Sequence, residues 1–295
     1  MGCGYVFISI LLCISFTPYY ITLVESTDVG GILQMNKKYA MWRTRPGGFY
    51  GLRAEISIWG SPNQEYSQDS GASIQIYCQD GGHYNLIEAG FHVSPSLYHN
   101  RDVRFFTYWT KDFKSASCYN LRCKGFVAAS GTALVPGQAI TPTSSYGEYD
   151  HYIRLSLNKI LANHNMFLLS ICMKMDITPH RLQDPKSEDW VVYRHDLQTP
   201  SFLGYFPVEF CSGTPRIQAL TGFVNYLNST RGPPMGSGHF PDEKDDDKTT
   251  AYFRHVKNYD FKGLDKTDCY TETDFLPGIN KGYHFHYGGP SGCVG

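Results

Sequence analysis

Two glutamates sit where a carboxyl could do acid–base work. Glu88 lies in LIEAGFHV, where Ile87, Ala89, Phe91 and Val93 fall on one face of a period-two pattern and Leu86, Glu88, Gly90 and His92 on the other. Glu209 lies in SFLGYFPVEFCSG, between Val208 and Phe210. A non-local sheet can bring two distant strands together. Two carboxyls within a few ångströms cannot both ionise easily, so one keeps its proton as an acid while the other accepts one as a base. The same residues are equally compatible with ordinary strand faces turned to water, since most of the 27 acidic residues must be solvated.

The elements that would carry these residues read as strands. GFYGLRAEISIWG alternates Ala54, Ile56 and Ile58 against Glu55, Ser57 and Trp59, and ASIQIYC repeats the pattern with Ile74, Ile76 and Cys78. VRFFTYWT sets Val103, Phe105, Thr107 and Trp109 against Arg104, Phe106 and Tyr108, bulky on both sides as where sheets stack. YIRLSLNKI and NMFLLSICMKM form an expected hairpin, and WVVYRH a further strand. PRIQALTGFVNYLN fits either a strand with a turn or a short helix. The expectation is an all-β fold with one domain over 39–295 after a short lead-in over 25–38.

The N-terminus has an apolar stretch from Tyr5 to Phe16, which predicts a signal peptide over 1–24; the stretch from Tyr5 to Val24 is also just long enough for an anchor. A net charge of −1 argues against a nucleic-acid partner. Without the leader, the cysteines are Cys78, Cys118, Cys123, Cys172, Cys211, Cys269 and Cys293, an odd number. Cys118 and Cys123 can close a small loop, and Cys269 with Cys293 can staple the C-terminal segment.

His284 and His286 share one strand face, but His180, His239 and His255 have no spacing that marks a third metal ligand, so a polar face is the simpler reading. The acidic run at 242–248 does not match a calcium loop. No GxSxG, HExxH, phosphate loop or CxxC occurs, and Asn228 heads the one N-glycosylation sequon. No metal or cofactor is expected.

Six collinear motifs, NLIEAGFHVSP, LYHNRDVRFFTYWTKD, CYNLRCKGFV, LGYFPVEF, MGSGHFPDE and YHFHYGGPSG, together resemble the plant neprosin-domain family. The resemblance implies a secreted or vacuolar antiparallel β-sandwich that acts as a glutamic endopeptidase, cutting after proline in acid without metal or cofactor. Its catalytic glutamates match Glu88 in IEAG and Glu209 in GYFPVEF. Its disulfides match Cys118–Cys123 and Cys269–Cys293, which leaves Cys78, Cys172 and Cys211 for one further pair at most.

Departures are Phe91 and Phe206 where tryptophan is usual, LYHN with Asn100 where LYGD is usual, and Trp190-Val191-Val192 for WWL. A proline-holding pocket would draw on Tyr108, Trp109, Tyr205 and Phe206. The alternative function is a catalytically silent extracellular module that binds Pro-rich peptides or cell-wall glycans. Glycoside hydrolysis, which also uses paired carboxyls, is a third.

Overall fold

The computed structural model describes residues 35–44, 49–160, 187–241, 246–260, 265–266 and 284–292. The expected signal peptide, the second arm of the expected hairpin, and Cys172, Cys269 and Cys293 lie outside the described residues.

Period-two sequence becomes period-two structure. The strands are β1 (Met35–Arg43), β2 (Phe49–Ser57), β3 (Asp69–Asp80), β4 (His83–Val93), β5 (Arg104–Lys111), β6 (Ala116–Tyr119), β7 (Val127–Ala128), β8 (Tyr152–Lys159), β9 (Trp190–Arg194), β10 (Ser201–Phe206), β11 (Thr214–Leu227), β12 (Ala251–Asp260), β13 (Asp265–Lys266) and β14 (Phe285–Tyr287). Among the described residues a one-turn helix α1 (Pro95–Tyr98) and a 3-10 turn (Val208–Phe210) interrupt them. The described strands pair antiparallel in two sheets: β1-β11-β3-β4-β5-β6, and β13-β12-β2-β8-β9-β10-β7 with β14 added to β12.

One face of each sheet supplies the core. Ile74, Ile76, Ile87, Phe91, Phe105 and Leu220 of the first sheet join Leu52, Ile56, Ile153, Leu157, Val192 and Phe253 of the second in one buried cluster. Each such side chain contributes about 1.5–3 kcal/mol when fully buried. The fold is therefore all-β, as the alternation predicts, and an antiparallel sandwich, as the resemblance implies.

Two local expectations change and one open choice is settled. The first strand begins at Met35, ahead of the start expected near Tyr39, and pairs along its whole length with β11. PRIQALTGFVNYLN, open between a strand with a turn and a short helix, is the strand: it forms the body of β11 and runs into a turn at Asn228. Leu220 packs into the core while Thr221 and Phe223 are buried on the other face, and with both faces covered the periodic signal is lost. Glu209 is not on a strand: Pro207 ends β10, and Glu209 falls in the 3-10 turn.

Two disulfides lie among the described residues. Cys118–Cys123 forms as expected, and Cys78 pairs with Cys211 across a sequence separation of 133. Loop-closure entropy scales with the logarithm of loop length, which gives about 5 kcal/mol for the long loop and about 2 kcal/mol for the short one. Denaturant unfolding of Cys78→Ala/Cys211→Ala should therefore show a much larger loss than Cys118→Ala/Cys123→Ala; equal losses would contradict this account.

Candidate active site

The β3–β4 hairpin turns at Gly81-Gly82, with Asp80 opposite His83. A two-residue loop fixes register, and counting back along both strands puts Gln75 directly opposite Glu88. Ile87 and Ala89 point into the core, so Glu88 points to the outer face of the first sheet. That face is not solvated: Glu88 is only 7% exposed. Beside it, Gly90 is required by close strand approach, since a Cβ there would lie 2.1 Å from the Ala72 carbonyl oxygen.

Two neutral donors hold the carboxyl. Ser73 Oγ donates to Glu88 Oε1 at 2.5 Å, and Gln75 Nε2 donates to the same oxygen at 3.0 Å. Gln75 Oε1 in turn accepts from Tyr77 Oη at 2.8 Å and Thr221 Oγ1 at 3.1 Å. Burial pushes the Glu88 carboxyl up; the Ser73 and Gln75 hydrogen bonds and the Lys37 charge oppose that shift without cancelling it. Glu88 is thus a carboxyl whose neutral form is favoured by its surroundings.

The rest of the face is aromatic and polar. Tyr108 stands opposite both Glu88 and Tyr119, and the two tyrosine rings lie 4.4 Å apart. His92 stacks on Phe106 at 4.2 Å, and its Nε2 lies 2.9 Å from the Tyr98 hydroxyl, which also accepts from Asn120 Nδ2. Burial drives the His92 imidazole down to about 3, so it packs here as a neutral ring. Asp69, further along β3 on the same face, is a second carboxyl raised by burial, with Ser94, Asn225 and Lys37 opposing.

Glu209 stands elsewhere. Its carboxylate pairs with Lys124 Nζ at 2.8 Å, and its side chain is 48% exposed. Phe210 packs on Trp109 with ring centroids 4.6 Å apart, and Cys211 bonds to core-facing Cys78, so this turn sits at the core-side rim of the first sheet. Glu88 faces the opposite side, and no hydrogen bond or ion pair among the described residues joins the two glutamates.

The expected pocket walls are dispersed as well. Phe206 is in the core, and Tyr205 packs with Val191 in a separate small cluster. Trp109 lies on the core side, where its Nε1–H donates to the Lys124 carbonyl. Only Tyr108 shares the face of Glu88. Ser73, Gln75, Tyr77 and Tyr119 complete that face and were not singled out from the sequence; the Gly-Gly turn is the signal that could have found Gln75. Among the described residues no cluster of three or more His, Cys, Asp or Glu stands ready to hold a metal ion.

A raised carboxyl pKa has a stability signature. Between the unfolded and the folded pKa the native state binds more protons, so stability falls as pH rises through that window, and below it the penalty vanishes. Glu88→Gln should therefore raise the melting temperature at neutral pH, by about 2–4 °C per kcal/mol of relieved penalty, with the gain shrinking in acid. An unchanged or lowered melting temperature at neutral pH would contradict the assignment.

The Neprosin family model matches residues 66–290, a span that holds Glu88 with its donors, both described disulfides and Glu209. With most of its length matched, and with the two-sheet antiparallel architecture described above, the chain belongs to the neprosin (glutamic peptidase) family.

Proposed function

We propose that this protein is an acid-acting endopeptidase that cleaves on the C-terminal side of proline, with Glu88 as its proton donor. The observation that carries this reading is a buried carboxyl, its pKa pushed up by burial, on an aromatic face in a chain of glutamic peptidase descent. A neutral Glu88 hydrogen-bonds the substrate carbonyl oxygen. As a water oxygen bonds to the carbonyl carbon, the π electron pair moves onto that oxygen and the water's proton passes to a carboxylate base. When the carbon–nitrogen bond breaks, the Glu88 proton goes to the leaving nitrogen. The resemblance supplies Glu209 as the second catalytic glutamate, which in this reading takes the base's role. The half-buried ring of Tyr108, beside Glu88, offers the proline an apolar surface.

The exposed ion pair of Glu209 with Lys124, with no bond to Glu88 among the described residues, favours a second reading, in which the same face binds Pro-rich peptides without cutting them. Cleavage of a library of Pro-containing peptides, measured from acid to neutral pH, separates the two. In the first reading Glu88→Gln and Glu209→Gln each lower kcat by about 10²–10⁴-fold, as expected for loss of a general acid or base. The double variant is then little worse than either single one. Well-folded parent protein that binds the peptides and cleaves none supports the second reading. Activity that survives in Glu88→Gln sinks the assignment of Glu88 in the first.

A further inference from the structure

Most buried carboxyls are held by cations, whereas Glu88 is held by two neutral groups that bond to one of its oxygens. Ser73 and Gln75 both donate to Oε1, and no hydrogen bond to Oε2 is made by the described residues. Nor is Oε2 among the sealed polar atoms that lack a partner, so it is the oxygen open to the face. An oxygen that accepts two hydrogen bonds behaves as a carbonyl oxygen, and a proton placed on it would point at a donor.

Which end of the Gln75 amide faces Glu88 decides the matter. With Nε2 toward Glu88, the carboxyl proton stays on Oε2 and remains available. With Oε1 toward Glu88, the amide oxygen would capture that proton in an inward hydrogen bond. The Tyr77 and Thr221 hydroxyls hold the far end of the amide but can donate or accept; the choice of end is made by Ser73, whose one proton goes to Glu88, leaving its oxygen to accept from Gln75 Nε2 at 3.4 Å. Thr221 is fully buried and Gln75 nearly so, so water does not readily replace these bonds.

We propose that Gln75 is a positioning residue. Its amide, locked by Thr221 and Tyr77, works with Ser73 to saturate Oε1 of Glu88 and so reserves Oε2 for the proton that is transferred. The proposal rests on Glu88 being the proton donor of this site. The other titratable groups toward Glu88 are Lys37 on β1, Tyr77 on β3, Tyr108 on β5 and Tyr119 on β6, with Tyr39 of β1 and Asp69 of β3 acting on Tyr119.

The test is the titration of Glu88 itself. In the full chain with carboxyl-¹³C glutamate, the Glu88 resonance is identified by its loss in Glu88→Gln and followed across pH. Gln75→Leu and Ser73→Ala each remove a donor to the ionised form and should raise the Glu88 midpoint by about one unit. Thr221→Val removes one lock on the amide and should shift the midpoint the same way by less. If the protein cleaves peptides, Thr221→Val should lower kcat with little change in KM.

A midpoint unmoved in folded Gln75→Leu overturns the proposal. If that variant does not fold, unmoved midpoints in both Ser73→Ala and Thr221→Val overturn it. Shifted midpoints in a parent that cleaves nothing support the positioning role and count only against the peptidase reading.

Discussion

A carboxyl taken out of water without a cation in contact is the constraint on which the rest of this site depends. Desolvating an ionised carboxylate costs more than two neutral hydrogen bonds return, so the group lowers its cost by keeping its proton. Each neighbouring feature supports that state. The two-glycine turn sets the register, Gly90 lets β3 and β4 approach, Ser73 and Gln75 satisfy one oxygen, and aromatic rings cover the face.

The same sandwich contains a control. Glu55, on β2 of the second sheet, is 1% exposed, more buried than Glu88. Burial pushes its carboxyl up too, but hydrogen bonds from Arg254, Arg154 and His255 outweigh burial and hold it below the usual carboxylate range. These partners sit on flanking strands β8 and β12, with Arg154 and Arg254 directly opposite Glu55 in register, so one carboxylate ties three strands together. At Glu55 cationic neighbours favour the ionised form, and at Glu88 burial beside neutral donors favours the protonated one. The cross-strand neighbours are cationic at Glu55 and neutral at Glu88, and that contrast sets the opposite directions of the two shifts.

Glu209 illustrates how a covalent tie limits chemistry. The bond between Cys78 and Cys211 fastens the 3-10 turn to the core side of β3, and Phe210 adds a ring contact with Trp109. A turn held at two points keeps its carboxylate on that rim. The exposed pair with Lys124 is worth little to stability, since both partners remain in water. Among the described residues no hydrogen bond or ion pair joins this carboxylate to Glu88.

The sequence by itself determined the all-β class, the inward faces of β2, β3, β4 and β5, the outward direction of Glu88 and the short disulfide. Each follows from local period-two alternation or from spacing within one loop. It also carried the family, because six motifs in order are a pattern of identities that needs no geometry. Only the tertiary structure decided that the outward face of Glu88 is covered, that Ser73 and Gln75 hold it, that Cys78 meets Cys211, and that Glu209 lies on the other side of the sheet. Alternation tells which side of a strand a residue takes; it does not tell what will cover that side. That depends on strand order, and in this fold β11 lies beside β3 across more than a hundred residues of intervening chain.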